Sequence, residues 1–280
     1  MLIVNEKQLE NKNFDFFEEK AKNIRLDILE MVTNAKSSHI GSAYSIVDIL
    51  TVLFHTFINL DLIKKNNKNR DYFILSKGHS IAALYATLVS VDLINKDELK
   101  NYYQNNSLLA GHPIKNSFPG IEASTGSLGH GLSIAVGLSI AFKRDNINNK
   151  IYVLLGDGEC QEGSVWEAVN MAVSLKLNNL VIIIDKNNLQ GFDFTQNLSA
   201  GCLQNKFQAF GCKTLSIDGH NYAQIIDAIK FSFNSDLPSV IVANTIKGKG
   251  VEFMQNKLEW HYKSPNIQEY ELAKKEIQIL

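Results

Sequence analysis

Apolar positions change period along this chain. Phe17, Ala21, Ile24, Ile28 and Met31 recur at three- and four-residue steps, which marks one face of an opening helix. Ser45, with Asp48 three residues on, reads as a capped helix start ahead of Ile46, Ile49, Leu50, Leu53 and Phe57. The run 72–75 is short and apolar and ends at Ser76-Lys77-Gly78-His79-Ser80. Leu84, Leu88 and Val91 then take up helical spacing. Gly126-Ser127-Leu128-Gly129 opens a further helix carrying Leu132, Val136 and Ile140.

Residues 151–155 and 180–184 are continuous apolar runs. Between them Trp166, Val169, Val173 and Leu177 keep helical spacing. Strand, helix, strand in so short a span is a βαβ unit, and strands apolar on both sides belong in a parallel sheet covered on each face. Runs 213–217 and 239–243, separated by Ile225, Ile226 and Ile229, repeat the pattern. The predicted fold is therefore α/β, a doubly wound, mainly parallel sheet with helices on both faces. Proline is rare, and no Gly/Ser tract or internal repeat divides the chain, so residues 1–280 are expected to form a single domain.

Charge narrows the partners. Lys+Arg is 28 against Asp+Glu 29, so no basic excess points to nucleic acid and no acidic tail to a solvating segment. Lys64-Lys65 and Lys68/Arg70 read as solvated loop. The first twelve residues lack a basic stretch followed by a long apolar one, so no leader is expected, and the longest aliphatic run is too short to span a bilayer. Cys160, Cys202 and Cys212 are odd in number and form no CxxC, which favours free thiols and a reducing, cytoplasmic setting.

The strand ends carry the candidate chemistry. In open parallel sheets ligands lie outside the carboxyl ends of the strands. The run 151–155 ends in Gly156-Asp157-Gly158, and the run 180–184 ends in Asp185-Lys186-Asn187-Asn188. A carboxylate and an amide carbonyl are hard oxygen ligands, suited to Mg²⁺ or Ca²⁺ completed by phosphate oxygens. Gly158 lets the backbone approach a phosphate, and the following helix offers its first N–H groups. Taken alone, a Gly-Asp-Gly or an Asn-Asn is more often a plain turn. The joint pattern is far more specific: Gly-Asp-Gly closing one apolar strand, a helix, a second apolar strand, then asparagine 30 residues on, from 157 to 187.

With this pattern the chain resembles the diphosphate-binding domain of transketolases, in the split form that works with a separate second subunit. The similarity runs from about Arg25 to Pro265. The resemblance implies thiamine diphosphate as cofactor and a metal held by Asp157, Asn187 and the backbone carbonyl of Leu189. It places Gly156, Gly158 and Glu159 at the diphosphate, and Gly126, Ser127 and Leu128 at the aminopyrimidine ring, with Leu128 propping the bent cofactor. Glu162 matches a glutamate at a subunit contact that links cofactors.

Seven histidines are present. A single one is more often packed or surface-exposed than catalytic. His39, His79, His112 and His261 lie at element ends in motif-like settings, and the resemblance makes them the active-site set. His79 and His261 fall near the cofactor and the reacting hydroxyls, and His39 and His112 toward the sugar. Imidazole suits deprotonation of sugar hydroxyls near neutral pH, while the cofactor supplies the carbanion chemistry. His220 reads as structural. His55, opposite the apolar stripe of its helix, and His130 carry no expected role.

Departures bear on substrate. The family pattern Gly-His-x-Gly-Gly-Ser appears here as Ser38-His39-Ile40-Gly41-Ser42-Ala43, and Tyr262 stands where many relatives have glycine. An unusual ketose or aldose is expected. The half of transketolase that presents a glutamate to the aminopyrimidine ring finds no counterpart before Leu280. The expected partner is therefore a separate C-terminal transketolase subunit, the pyrimidine-binding domain, in an α2β2 assembly. Rival readings are the α subunit of a 2-oxo acid dehydrogenase, a deoxyxylulose-phosphate synthase fragment, and a non-catalytic cofactor-binding subunit. The SKGHS, AGHP and WH segments favour transketolase over the first two, and the retained histidines speak against the third.

Overall fold

The strands sort their side chains onto two faces with a period of two, and each face meets its own helical layer. The computed structural model describes residues 14–280, so the reading of the first twelve residues lies outside the described region. Within it, β1 (Tyr72–Leu75), β2 (Ile151–Gly156), β3 (Leu180–Lys186), β4 (Lys213–Asp218) and β5 (Ser239–Asn244) form one sheet in the order β1-β2-β3-β5-β4. Every neighbouring pair is parallel. The helices are α1 (Asp15–Ala35), α2 (Ile40–Tyr44), α3 (Val47–Val52), α4 (Leu60–Lys64), α5 (Ile81–Ser90), α6 (His130–Arg144), α7 (Gly163–Ser174), α8 (Thr195–Leu198), α9 (Leu203–Ala209), α10 (Tyr222–Phe233) and α11 (Ile267–Gln278).

Tyr152, Leu154, Val181, Ile183 and Ile241 face a core shared with α1, α3, α5 and α10. Ile151, Val153, Leu155, Ile182, Ile184 and Val242 face the opposite core with α6, α7 and α9. This is the physical content of the unbroken apolar runs: β2 and β3 lie mid-sheet and have no wet side. α11 returns to pack on α1 through Ala273 and Ile277. No described helix is long and apolar enough to cross a membrane. All three cysteines are free.

Three local expectations are corrected. Ser45 and Asp48 do not form a capping box. Ser45 Oγ donates to Asp185 Oδ2 at 2.7 Å, Asp48 takes a two-pronged bond from Arg25, and α3 starts after Ile46 with no side-chain cap. Tertiary partners drew both side chains inward. The true capping box is at Asn266 and Glu269, which exchange backbone bonds of 2.9 Å at the start of α11. Arg70 is not solvated loop. It grips Glu122 with bonds of 3.1 and 2.8 Å and lies 4.1 Å from the Tyr72 ring, while Lys64, Lys65 and Lys68 are exposed as expected. Third, a 3-10 turn (Glu159–Gln161) separates Asp157 from α7, so the helix N-terminus begins beyond the Gly-Asp-Gly turn.

Candidate active site

The carboxyl ends of β1, β2, β3 and β5 deliver Ser76 to His79, Asp157, Asp185 to Asn187, and Thr245 to Lys247 to one side of the sheet. Gly156 is in register with Asp185, and the Asp157 N–H donates to the Asp185 carbonyl at 3.1 Å. The two motifs are thus adjacent because their strands are adjacent. They line a cleft of about 350 Å³ together with Ser42, Lys77, His79, Leu128, His261 and Tyr262.

Asp157 is 3% exposed. Its Oδ1 accepts from the Gly158 N–H at 2.9 Å, and its Oδ2 accepts from the Asn188 N–H and the Thr195 hydroxyl at 2.8 and 2.9 Å. Burial, reinforced by the nearby Asp185, pushes its carboxyl up to about 6. A cation there would favour the charged form again. Asn187 donates its amide N–H to Asp185 at 2.8 Å, and its Oδ1 accepts the Leu189 N–H at 3.1 Å. That fixes the amide so that its oxygen, not its nitrogen, faces the Leu189 turn. Asn188 takes a left-handed backbone (φ 62°) to make this turn.

Beneath them is a fully buried hub to which the motifs assign no role. Asp185 receives the Lys77 ammonium, the Ser45 and Thr245 hydroxyls and the Asn187 amide. Burial alone would raise this carboxyl, but Lys77 reverses the effect and holds it below the ordinary range. Lys247 is also fully buried, yet among the described residues no carboxylate pairs with it. Its ammonium donates to the Leu189 and Gln190 carbonyls at 3.3 and 3.2 Å and to His261 Nδ1 at 2.8 Å. Burial, with Lys77 nearby, lowers it to about 8. Lys77 lines the cleft, and Lys247 lies just behind it against the 189–190 turn and His261.

Three of the four candidate histidines cluster. The rings of His39, His79 and His261 lie 5.1, 5.0 and 5.6 Å apart pairwise. His39 has a left-handed backbone (φ 74°), its N–H donates to the His261 carbonyl at 3.0 Å, and Ser38 Oγ bonds its Nδ1 at 2.9 Å. Burial and neighbouring cations lower His39 to about 4 and His261 to about 3, and hold His79 well below its usual value. All three rings are therefore neutral at pH 7. Because His261 Nδ1 accepts from Lys247, its proton is on Nε2. His112 is exposed and does not line the cleft; it packs over Gly126, where an added Cβ would come within 3.2 Å of its ring.

Leu128 lines the cleft, while Gly126 and Ser127 are not among its lining residues. Gly129 needs its identity, since φ is +83° and a Cβ would lie 2.7 Å from Glu162 Cβ. Glu159 is 2% exposed, and its carboxylate accepts from Ser76 Oγ and the Gly129 and Gly156 N–H groups. It lines the cleft and ties three loops together there. Glu162 is exposed.

The transketolase, thiamine diphosphate binding domain family model matches residues 17–278. The chain belongs to the transketolase family. It is 42% identical over 269 residues, 95% of this chain and 98% of the relative, to an apulose-4-phosphate transketolase subunit of Actinobacillus succinogenes. It is 36% identical over 244 residues, 86% of this chain and 89% of the relative, to a 6-deoxy-6-sulfo-D-fructose transketolase subunit of a Clostridium species. Among solved structures it is similar to transketolase from Campylobacter jejuni, with a TM-score of 0.86 and 32% identity over 95% of this chain. It spans 43% of that protein's length.

In this transketolase-family chain, motif spacing assigns roles to Asp157 and Asn187; Lys77 and Asp185 lie inside the 76–80 and 185–188 segments without a role assigned to either, and Lys247 lies outside every motif. The first pair carries a recognisable spacing. The others are ordinary residues whose burial depends on four strand ends converging. The available signal was charge one to four residues past apolar runs, at Lys77, Asp185 and Lys247.

Proposed function

We propose that this chain is the diphosphate-binding subunit of a split transketolase that transfers a two-carbon ketol unit from a ketose to an aldose. The observation that carries this is Lys247, buried without a carboxylate beside the Asp157–Asn187 pair and the histidine cluster. Among the described residues Lys247 has no carboxylate within ion-pair distance, so an anion bound in the adjoining cleft would be attracted to it, and a diphosphate is such an anion.

The residues present fit a metal–diphosphate group. Asp157 Oδ, Asn187 Oδ1 and the Leu189 carbonyl are hard oxygen donors, and among the described residues the set lacks a third acidic or imidazole ligand. Such a set suits Mg²⁺ or Ca²⁺ that takes its other ligands from phosphate. Lys77 and Lys247 would balance the diphosphate charge, and Leu128 would support the ring system from the cleft wall. Bound there, thiamine diphosphate supplies the carbon nucleophile and electron sink for ketol cleavage.

The chain's own part is orientation and proton handling. Neutral His79 accepts a proton from a sugar hydroxyl, while His261, its Nδ1 held by Lys247, keeps its orientation and offers its Nε2–H to a sugar oxygen. His39 and, from the rim, His112 contact the sugar. We place Gly126, Ser127, Gly156 and Gly158 against the cofactor, with Glu159 bracing the wall and Glu162 at a subunit contact. A C-terminal subunit would complete the site in a cytoplasmic α2β2 assembly, with residues 1–280 as one domain. The test is to mix this chain with a complementary pyrimidine-binding subunit, thiamine diphosphate and Mg²⁺. Glycolaldehyde transfer by the mixture, and little by either chain alone, is expected. Pyruvate decarboxylation instead would reassign the chain to 2-oxo acid chemistry.

A further inference from the structure

Tyr262 directly follows His261, yet nothing in the proton handling above uses it. Its ring centroid lies 4.7 Å from His261 and 6.4 Å from His39, so the phenol closes the third side of the space between those imidazoles. It is 66% exposed, whereas Asp157 and Asn187 are 3% and 4% exposed. Within one cleft that contrast sets the metal-ligand pair at the floor and Tyr262 at the mouth.

The far edge of the ring meets the opposite wall. A Cβ built on Gly191 would lie 2.5 Å from Tyr262 Oη and 3.1 Å from His261 Nε2. The backbone of the 189–191 turn, which follows the proposed metal ligands, therefore touches both the imidazole and the phenol. Tyr262 spans the gap from the turn Leu258–His261 to this loop. What the ring brings to the mouth is bulk.

We propose that Tyr262 is a specificity-determining residue: a steric wall at the mouth that limits how far a sugar's carbon chain extends past the histidine cluster, so that short aldoses and the ketoses derived from them are preferred. This rests on the transketolase reading of the same site. A wall of this kind acts through shape, so the ring matters and the hydroxyl does not. Removing it opens space next to reacting groups that keep their own supports: Lys247 on His261 and Ser38 on His39.

The test uses the assembled pair with thiamine diphosphate and Mg²⁺, comparing a three-carbon with a five-carbon aldose acceptor. In Y262G, kcat/KM for the five-carbon acceptor relative to the three-carbon one should rise about tenfold, chiefly through KM, the scale on which a pocket discriminates by bulk. Y262F should keep the wild-type ratio, and cofactor affinity should be the same in all three. An unchanged ratio in Y262G, with transfer intact, overturns the wall and leaves the transketolase reading standing. A Y262F ratio that matches Y262G also overturns it, because the hydroxyl would then be the determinant. Failure of the wild-type pair to transfer to any aldose overturns both.

Discussion

Lys247 and the imidazole it holds carry the densest chemistry of the site. An ammonium with 0% exposure and only neutral acceptors is stabilised when an anion arrives. K247M should therefore weaken thiamine diphosphate binding by at least tenfold while changing the affinity for unphosphorylated thiamine little. Equal losses for both ligands, read by calorimetric titration of the assembled pair, would remove Lys247 from the diphosphate site. The histidines act later. H79A or H261A should lower kcat by about 10²- to 10⁴-fold, the range for a lost general acid–base group, with cofactor affinity much less affected. Unchanged kcat in single-turnover measurements would refute those roles. At this scale the sequence was legible where spacing is specific, as at Asp157 and Asn187. It placed Asp185 at a strand end but gave it no role, because that role comes from Lys77, Ser45 and Thr245 reaching it from three other segments.

Elements hold these residues through buried polar joints. Arg25 of α1 forks onto Asp48 of α3 at 3.1 and 2.7 Å, and Asp48 also bonds His220 Nδ1 at 2.7 Å and Tyr222 Oη at 3.2 Å. His220 Nε2 accepts the Ile246 N–H at 2.8 Å, one residue before Lys247. Burial raises the Asp48 carboxyl, but Arg25 and His220 more than reverse this and hold it far below the ordinary range. D48N leaves Arg25 buried without its counter-charge, so it should cost about 3–5 kcal/mol, read as a lower denaturant midpoint at unchanged slope. A loss under about 1 kcal/mol would contradict the joint. The same network explains the failed capping pattern at Ser45 and Asp48. Local pattern pointed to a helix start, but a buried arginine 23 residues earlier offered Asp48 more than an exposed N–H could. The unbroken apolar strands, by contrast, were legible because both faces of a mid-sheet strand are dry. Helices α8 and α9 were not, being one or two turns with few buried residues.

His55 adds a pH term at the same scale. In the turn after α3 it bonds Ser90 of α5 at 3.1 Å and meets Phe16 of α1 edge-on, so it is a packed joint and not incidental. Burial, with Lys20 nearby, lowers it to about 4. An unfolded histidine titrates near ~6.5, so between about pH 6.5 and 4 the unfolded chain binds the extra proton. Stability is then present above that window and lost as pH falls through it, by up to about 1.4 kcal/mol per pH unit. Thermal melts from pH 7 to pH 5 should fall less steeply in H55Q than in wild type. Identical slopes would show that His55 protonates freely in the native state.

At the scale of the whole molecule, one parallel sheet gathers four strand ends into a cleft, and the order β1-β2-β3-β5-β4 explains the gathering. The doubly wound class was legible from the alternation of periods. The strand order was not, since β5 inserts between β3 and β4 and no local signal records it. The α2β2 proposal predicts that light scattering of this chain mixed with its complementary subunit gives the mass of four chains. A mass of two chains, with activity, would contradict that stoichiometry. The proposed chemistry rests above all on the floor of the cleft. Calorimetric titration of thiamine diphosphate into the assembled pair, with Mg²⁺ and with EDTA, for wild type and for D157N, probes that floor. Tight binding is expected for wild type only with Mg²⁺, at least tenfold weaker binding with EDTA, and weak binding for D157N in both conditions. Equal affinity in all four titrations would mean that neither a metal nor Asp157 holds the diphosphate.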